Sequence, residues 1–419
     1  MKAALGWTQF SREALRKAEA SVLEQEQGVR DEIGFLLLHQ AYADRFFPGT
    51  SVLQTRLRYI LFVPWMYERI ARTAHQRSID ELLREEEMRL IARLRAHYQA
   101  LGSDNERVGI IGSRSHAQGR LTTQPPSMIY WTALGRWGLL KRGVDQVLPA
   151  RSRVHGVFRH RHVTTRIRED DDRQPLFEES PLFVALPDPP PEWEKYSLPL
   201  SFAFPDDKRN ERGFVLRHLV GVAKPGTHGS ELSLLARLAE RDFDSGTSEV
   251  VWDKRVRSHA DKEDQHALVR ARQASSLAAV GRGVYAALVE HVRATEDGLE
   301  TEDIHRSYLT TLRATYEKEA RALDIGAMRL DAPGLETHIT AVLLETQRWL
   351  ASSQPVSELW DVYAQAEVRR KGARARLAPN YGGTKRRAEW FPDQHTLAYP
   401  LHYRWPNVRR LLKDLRGEP

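Results

Sequence analysis

The sequence predicts a mainly α-helical protein with minor β structure, built as two helical bodies joined by a proline-rich extended strap. Three observations predict it. Apolar residues recur at helical spacing behind capping signals in the first hundred residues, and again from about residue 230 to 365. Between them stand Pro175, Pro181, Pro187, Pro189, Pro190, Pro191, Pro199 and Pro205. Each proline removes an amide donor and fixes its own φ, so 175–205 cannot be regular helix. Finally, 41% hydrophobic and 28% charged residues over 419 positions is a globular composition with room for two or three domains.

Taken in order, Gly49-Thr50-Ser51 precedes Leu53, Leu57, Ile60, Leu61 and Trp65. Ser51 and Gln54 have capping-box spacing, which predicts a helix starting at Ser51 and kinked or interrupted at Pro64. Ser78 and Glu81 repeat the signal ahead of Leu82, Leu83, Leu90, Ile91, Leu94 and Tyr98, with Gly102 as the stop. An apolar stretch, Val108-Gly109-Ile110-Ile111-Gly112, then leads to a helix over 127–137. That order fits a winged-helix-like element in the N-terminal body; ordinary helix packing fits it equally and is preferred. Further helices are expected over 266–295, 302–323, 336–351 and from Ser357 onward. The expected division is 1–150 for the N-terminal helical body and 151–229 for a basic strip and the strap. A C-terminal helical body over 230–367 and a basic, aromatic-rich tail over 368–419 complete it.

Composition excludes several chemistries. There is no cysteine, which removes disulfides, thiolate zinc sites and cysteine nucleophiles, and suits a cytoplasmic location. The first residues carry no apolar core of signal-peptide length, and the longest apolar run, 59–67, is nine residues where a bilayer span needs about 20. No membrane partner is expected. No GxxxxGK[ST] loop occurs, and Val280-Gly281-Arg282-Gly283 lies inside a helical pattern with no strand before it. Asp188, Glu192, Glu194 and Lys195 superficially resemble a nuclease carboxylate–lysine set, but the prolines leave no room for the strand that should separate them. His155, His160 and His162 could share a strand face, yet the surrounding arginines oppose a cation. No catalytic residues, no metal and no cofactor are therefore assigned. Arg56 and Arg58 are expected to form structural ion pairs.

Net charge is +7, and its distribution is informative. Residues 368–419 hold thirteen Lys and Arg against four acids, a net +9, leaving the other 367 residues at −2. Cations neutralise phosphates and aromatic rings stack on bases. Arg369, Arg370, Lys371, Arg374, Arg376, Lys385, Arg386, Arg387, Arg404, Arg409 and Arg410 are thus the candidate nucleic-acid contacts, interleaved with Trp390, Phe391, Tyr399, Tyr403 and Trp405. Arg370 and Arg374, four apart, are expected to share a helix face. Arg151, Arg153, Arg159, Arg161, Arg166 and Arg168 form a secondary basic strip.

Phe46-Phe47-Pro48-Gly49-Thr50-Ser51, with Gln54-Thr55-Arg56, Arg58-Tyr59 and Leu61-Phe62-Val63-Pro64-Trp65, resembles the hallmark of an uncharacterised bacterial family. So does Pro126-Ser127-Met128-Ile129-Tyr130-Trp131 with Trp137-Gly138. The family is known only as a domain of unknown function. The resemblance implies a bacterial or phage-related origin and a setting beside helicases and phospholipase-D-like nucleases in anti-phage defence islands. The expected function is a non-catalytic, nucleic-acid-binding accessory subunit of such a defence complex, with DNA favoured over RNA. A protein-interaction scaffold for a helicase or nuclease partner, and a metal-dependent nuclease of unrecognised type, are the alternatives.

Overall fold

A computed structural model describes residues 32–72, 77–103, 108–143, 147–155, 182–202, 210–227 and 229–418. The described residues are mainly α-helical, with two isolated β-bridges, Leu140 to Phe183 and Ala223 to Leu232, as their β structure. The main helices are α1 (Phe35–Phe46), α2 (Tyr59–Arg72), α3 (Ile79–Ala100), α4 (Glu211–Leu219), α5 (Leu234–Glu240) and α6 (Lys262–Thr295). They continue as α7 (Ile304–Arg321), α8 (Ile325–Asp331), α9 (Thr337–Leu350), α10 (Trp360–Lys371), α11 (Tyr381–Ala388) and α12 (Trp405–Arg416). No helix among the described residues is long and apolar enough to cross a membrane.

Two compact units are present, and each is discontinuous in sequence. The first takes its described residues from Phe47–Thr247 and Pro406–Pro419, the second from Lys17–Phe46 and Ser248–Trp405. Residues 368–419 are therefore not a separate tail, because they divide between the two units.

In the first unit, α3 starts as its sequence predicts: Ser78 Oγ accepts the Glu81 amide. The helix with Pro64 begins at Tyr59, not Ser51, and runs on through Pro64. Its buried face, from Tyr59 to Tyr67, supplies the packing that offsets the hydrogen bond lost at the proline. The predicted cap at Ser51 does form hydrogen bonds, from the Ser51 amide to Gln54 Oε1 and from the Leu53 amide to Ser51 Oγ, but they close a turn. Residues 108–112 do not pair into a sheet. Thr55 Oγ1 donates to the Gly109 carbonyl and the Ile111 amide donates to the Tyr59 hydroxyl, so their polar groups are taken by side chains and the wing of a winged helix is not formed there.

The described part of the strap, 182–202, packs within this same unit, so it is not a linker between bodies. Trp193 is buried, its indole stacked on Phe62 at 5.7 Å and edge-on to Trp65 at 5.3 Å. Trp65 Nε1 donates to the Pro187 carbonyl, and Leu198 and Leu200 are buried. The rest of the proline-rich stretch lies outside the described residues.

The second unit is organised on α6, whose N-cap Asp261 accepts the Asp264 amide. Val280-Gly281-Arg282-Gly283 lies inside this helix, where Gly281 lets the Phe35 ring of α1 approach. Around α6 stand α1, α7, α8, α9, α10 and α11. The entry to α11 is tight. Asn380 Oδ1 accepts the Gly383 amide, and a Cβ on Gly383 would strike the Ala378 carbonyl. Gly383→Ala should therefore destabilise this unit by about 1–3 kcal/mol, as overpacking against backbone does. Gly334→Ala, with nothing within 4 Å of its new methyl, is the control. Equal thermal midpoints for the two variants would refute the tight entry.

Candidate nucleic-acid interface

Helix α10 delivers the first cations. Arg369 and Arg370 are exposed, and Lys371 turns inward to Glu32 and Glu367. The helix ends there, since Gly372 has a φ of +57° and Gly372–Arg374 form a single 3-10 turn. Arg374 is exposed but leaves the helical face that Arg370 occupies, so the expected four-residue pairing of these two is broken by the glycine. Arg376 folds back: its Nη1 donates to Glu32 Oε1 at 2.7 Å, and its amide to Glu367 Oε2 at 3.0 Å. Glu367 is fully buried, and burial pushes its carboxyl above the usual range even though two amides and the Tyr285 hydroxyl donate to it.

On α11 the picture divides by face. Lys385 and Arg386 point outward, whereas Arg387 is 2% exposed. Arg387 grips Asp297 through Nε (2.6 Å) and Nη2 (2.8 Å) and donates to the Arg376 carbonyl, which is a structural role. Arg404 is likewise 2% exposed, with Nη1 2.7 Å from Asp44 Oδ1. Neither buried guanidinium can reach a phosphate, so both leave the candidate set. In the other unit, Arg410 is exposed on α12, and Arg409 is half-buried with Nε donating to the Ser245 carbonyl.

The aromatic residues divide similarly. Trp390, Tyr403 and Trp405 are core, at most 1% exposed. Tyr381 is 84% exposed, Phe391 53% and Tyr399 47%. Tyr381 and Lys385 are four apart on α11 and so share a face, and Gly382 abuts the Ala373 carbonyl, which brings the Arg374 turn beside it. Arg369, Arg374 and Lys385 pair with no carboxylate among the described residues; Arg386 meets only the exposed Glu389 at 2.9 Å. The unit thus presents outward cations, with Lys385 and the Arg374 turn beside an uncovered ring, a combination sequence spacing alone did not separate from the buried half of the segment.

A second polar cluster lies inside the same unit. His39 is buried against Tyr403 (5.7 Å, stacked) and His402 (5.1 Å, edge-on), and neither of its ring nitrogens has a hydrogen-bond partner. Tyr403 and Arg404 both adopt left-handed φ values, 50° and 61°, which turn the Arg404 side chain inward. Burial, helped by Arg404 and Arg282, holds His39 well below the usual imidazole range and His402 at about 4. His402 Nδ1 accepts the Arg404 amide, which fits a neutral ring. Because both folded pKa values lie below the unfolded value of about 6.5, the unfolded chain binds more protons once pH falls below that point. Stability from this cluster is fully present above pH 6.5 and should be lost as pH falls toward 4. A thermal midpoint that falls over this window in wild type, and falls less in His402→Gln, is the expected result; parallel curves would remove the cluster as the cause.

Of the secondary strip, Arg151 is half-buried near the Tyr67 hydroxyl and Arg153 is exposed. Arg159, Arg161, Arg166 and Arg168 lie outside the described residues, as do His160 and His162. His155 is buried between Asp80 Oδ1 (2.7 Å) and the Tyr67 hydroxyl (2.7 Å). Among the described residues no three His, Asp or Glu side chains converge as metal ligands would. Arg56 and Arg58 form the ion pairs expected of them, with Asp414 and Glu211.

Residues 2–147, about a third of the chain, match a family described as of unknown function (DUF6361). No curated protein and no solved structure shows a match to the chain.

Proposed function

We propose that this chain, whose first third matches a family without an assigned activity, is a non-catalytic nucleic-acid-binding accessory subunit acting in the cytoplasm. The observation that supports the reading is the outward set Arg369, Arg374, Lys385 and Arg386, with Lys385 and the Arg374 turn beside the uncovered Tyr381. Outward cations of which only Arg386 has an internal carboxylate partner, the exposed Glu389, cost self-repulsion in the folded protein, a cost that an anionic partner relieves. An exposed ring beside them offers an unpaired base a stacking surface, which suits a single strand, while the cations serve the phosphates of a duplex as well. The anti-phage defence setting, with a helicase or nuclease as protein partner, is the context in which such a subunit would work.

Titrating the purified chain into labelled single-stranded and duplex DNA at several salt concentrations tests the reading. Binding that weakens linearly in log–log form supports it. Absence of binding at low salt sinks it and leaves the protein-interaction scaffold.

A further inference from the structure

We propose that the first unit holds a binding site for a phosphate monoester, in the cavity that α12 forms with Arg56 and Val108. The ligand is the terminal phosphate of a nucleic-acid strand or a free nucleotide, and the inference rests on the nucleic-acid reading only for the first of these sources.

The cavity has a volume of about 330 Å³, lined by Arg56, Val108, Arg409, Arg410, Lys413 and Asp414 among others. Positions 406, 409, 410 and 413 fall three, four and seven apart, so one stripe of α12 faces it. The single carboxylate is already spent. Asp414 accepts Arg56 Nε at 2.8 and 3.1 Å and the Leu57 amide at 2.6 Å, so it is paired to Arg56, and Arg410 feels its charge only from beyond hydrogen-bond distance. Arg409, Arg410 and Lys413 form no ion pair at salt-bridge distance with a carboxylate among the described residues.

Arg409 is also pre-positioned. Its Nε donates to the Ser245 carbonyl at 2.9 Å, and Ser245 Oγ donates back to the Arg409 carbonyl at 2.9 Å. Both ends of the residue are thereby fixed, and the two Nη groups stay available as a fork. Planar forks suit the paired oxygens of a phosphate, and a lysine adds a point charge. Three cations on one small concavity repel one another, which a dianion relieves.

The concavity selects the class of phosphate. A monoester carries about −1.5 to −2 charges near pH 7 and three terminal oxygens, matching three cations that converge. A diester inside a strand has one charge and chain on both sides, which outward cations serve better than a hollow. At about 330 Å³ the cavity lies at the small end of the roughly 300–1,000 Å³ usual for ligand sites, room for a phosphate with its sugar but not for a duplex.

The test compares one short single strand carrying a 5′-phosphate, a 3′-phosphate or hydroxyls at both ends, with AMP and inorganic phosphate as separate probes of the whole chain. A phosphorylated end should bind about tenfold more tightly than the hydroxyl strand, or about 1.4 kcal/mol. AMP should compete away that difference. Arg410→Gln/Lys413→Gln should bind all strands alike while retaining its thermal transition, since Arg410 is exposed and Lys413 half-exposed. If the pair disturbs folding, Lys413→Gln alone makes the comparison. Arg374→Gln/Lys385→Gln in the other unit should weaken all strands by a common factor, which separates failure of the interface from failure of this site. Saturable AMP binding, lost in the variant, with no strand bound at all would assign the site to free nucleotides. Equal affinity for all strands together with no AMP or phosphate binding overturns the proposal.

Discussion

Arg58→Ala should destabilise the first unit by about 3–5 kcal/mol, the cost of breaking a buried ion pair by removing one partner. Arg58 and Glu211 are at most 1% exposed. Arg58 Nε and Nη2 each donate to a Glu211 oxygen at 2.7 Å, Nη1 donates to the Pro199 carbonyl at 2.8 Å, and the guanidinium lies 5.2 Å from the Phe62 ring centre. One side chain thus ties α2 to α4 and to the proline-rich segment. Truncating it leaves the Glu211 carboxylate buried with its counter-charge removed. Replacing both partners, Arg58→Met with Glu211→Leu, should recover much of the loss, because apolar groups of similar volume need no partner. Chemical unfolding of the two single variants and the double closes the cycle. A loss below about 1 kcal/mol in Arg58→Ala, the size of an exposed pair, would mean that water reaches this site.

The helix signals that could be read from sequence are those whose partners are local. Ser78 caps α3 because the amide it needs is three residues away. The apolar periodicity of 266–295 produces α6 because nothing within it competes with helical hydrogen bonding. At Ser51 the same capping pattern misled. The first-turn amides do bond locally, but those that would carry the helix onward are claimed by tertiary acceptors: Arg56 donates to the Tyr130 hydroxyl and Leu57 to Asp414, 357 residues away. No local spacing announces such an acceptor. The strap shows the complementary case. Over 182–202 its prolines exclude α-helix, leaving one 3-10 turn at Pro191–Glu194, but Trp193, Leu198 and Leu200 among them were the sign that it would be buried, and proline counting passed over them. Charge counting over 368–419 was right in sum and incomplete in kind. Glu32, Asp44 and Asp297, all outside that window, take up Lys371, Arg376, Arg404 and Arg387, so net charge in a window overstates the charge that faces outward. Lys413, which sequence reasoning left out, gains its interest only from the cavity beside it.

That sorting of buried from outward cations sets the largest effect expected on binding. Arg369, Arg374, Lys385 and Arg386 changed together to Gln should leave folding intact, because all four are exposed and, among the described residues, Arg386 alone pairs with a carboxylate, the exposed Glu389. If each neutralises one phosphate of duplex DNA, the log–log salt slope should become shallower by about 3 to 4, at about 0.9 per phosphate. The same four contacts correspond to a loss of roughly a hundredfold or more in affinity at low salt, shrinking as salt rises, since counterion release is what the variant forfeits. Tyr381→Ala gives an independent arm. A base stacked on that ring is worth about 1–3 kcal/mol, and unpaired bases present their faces where duplex bases do not. It should therefore weaken single-stranded binding several-fold or more while leaving the salt slope unchanged. Arg387→Gln and Arg404→Gln are the opposite controls: they remove the buried guanidinium that pairs with Asp297 and with Asp44 and should lower the thermal midpoint. A fourfold variant that keeps its thermal transition, its affinity and its salt slope would remove this face as the interface, whatever the strip around Arg151 and Arg153 then contributes.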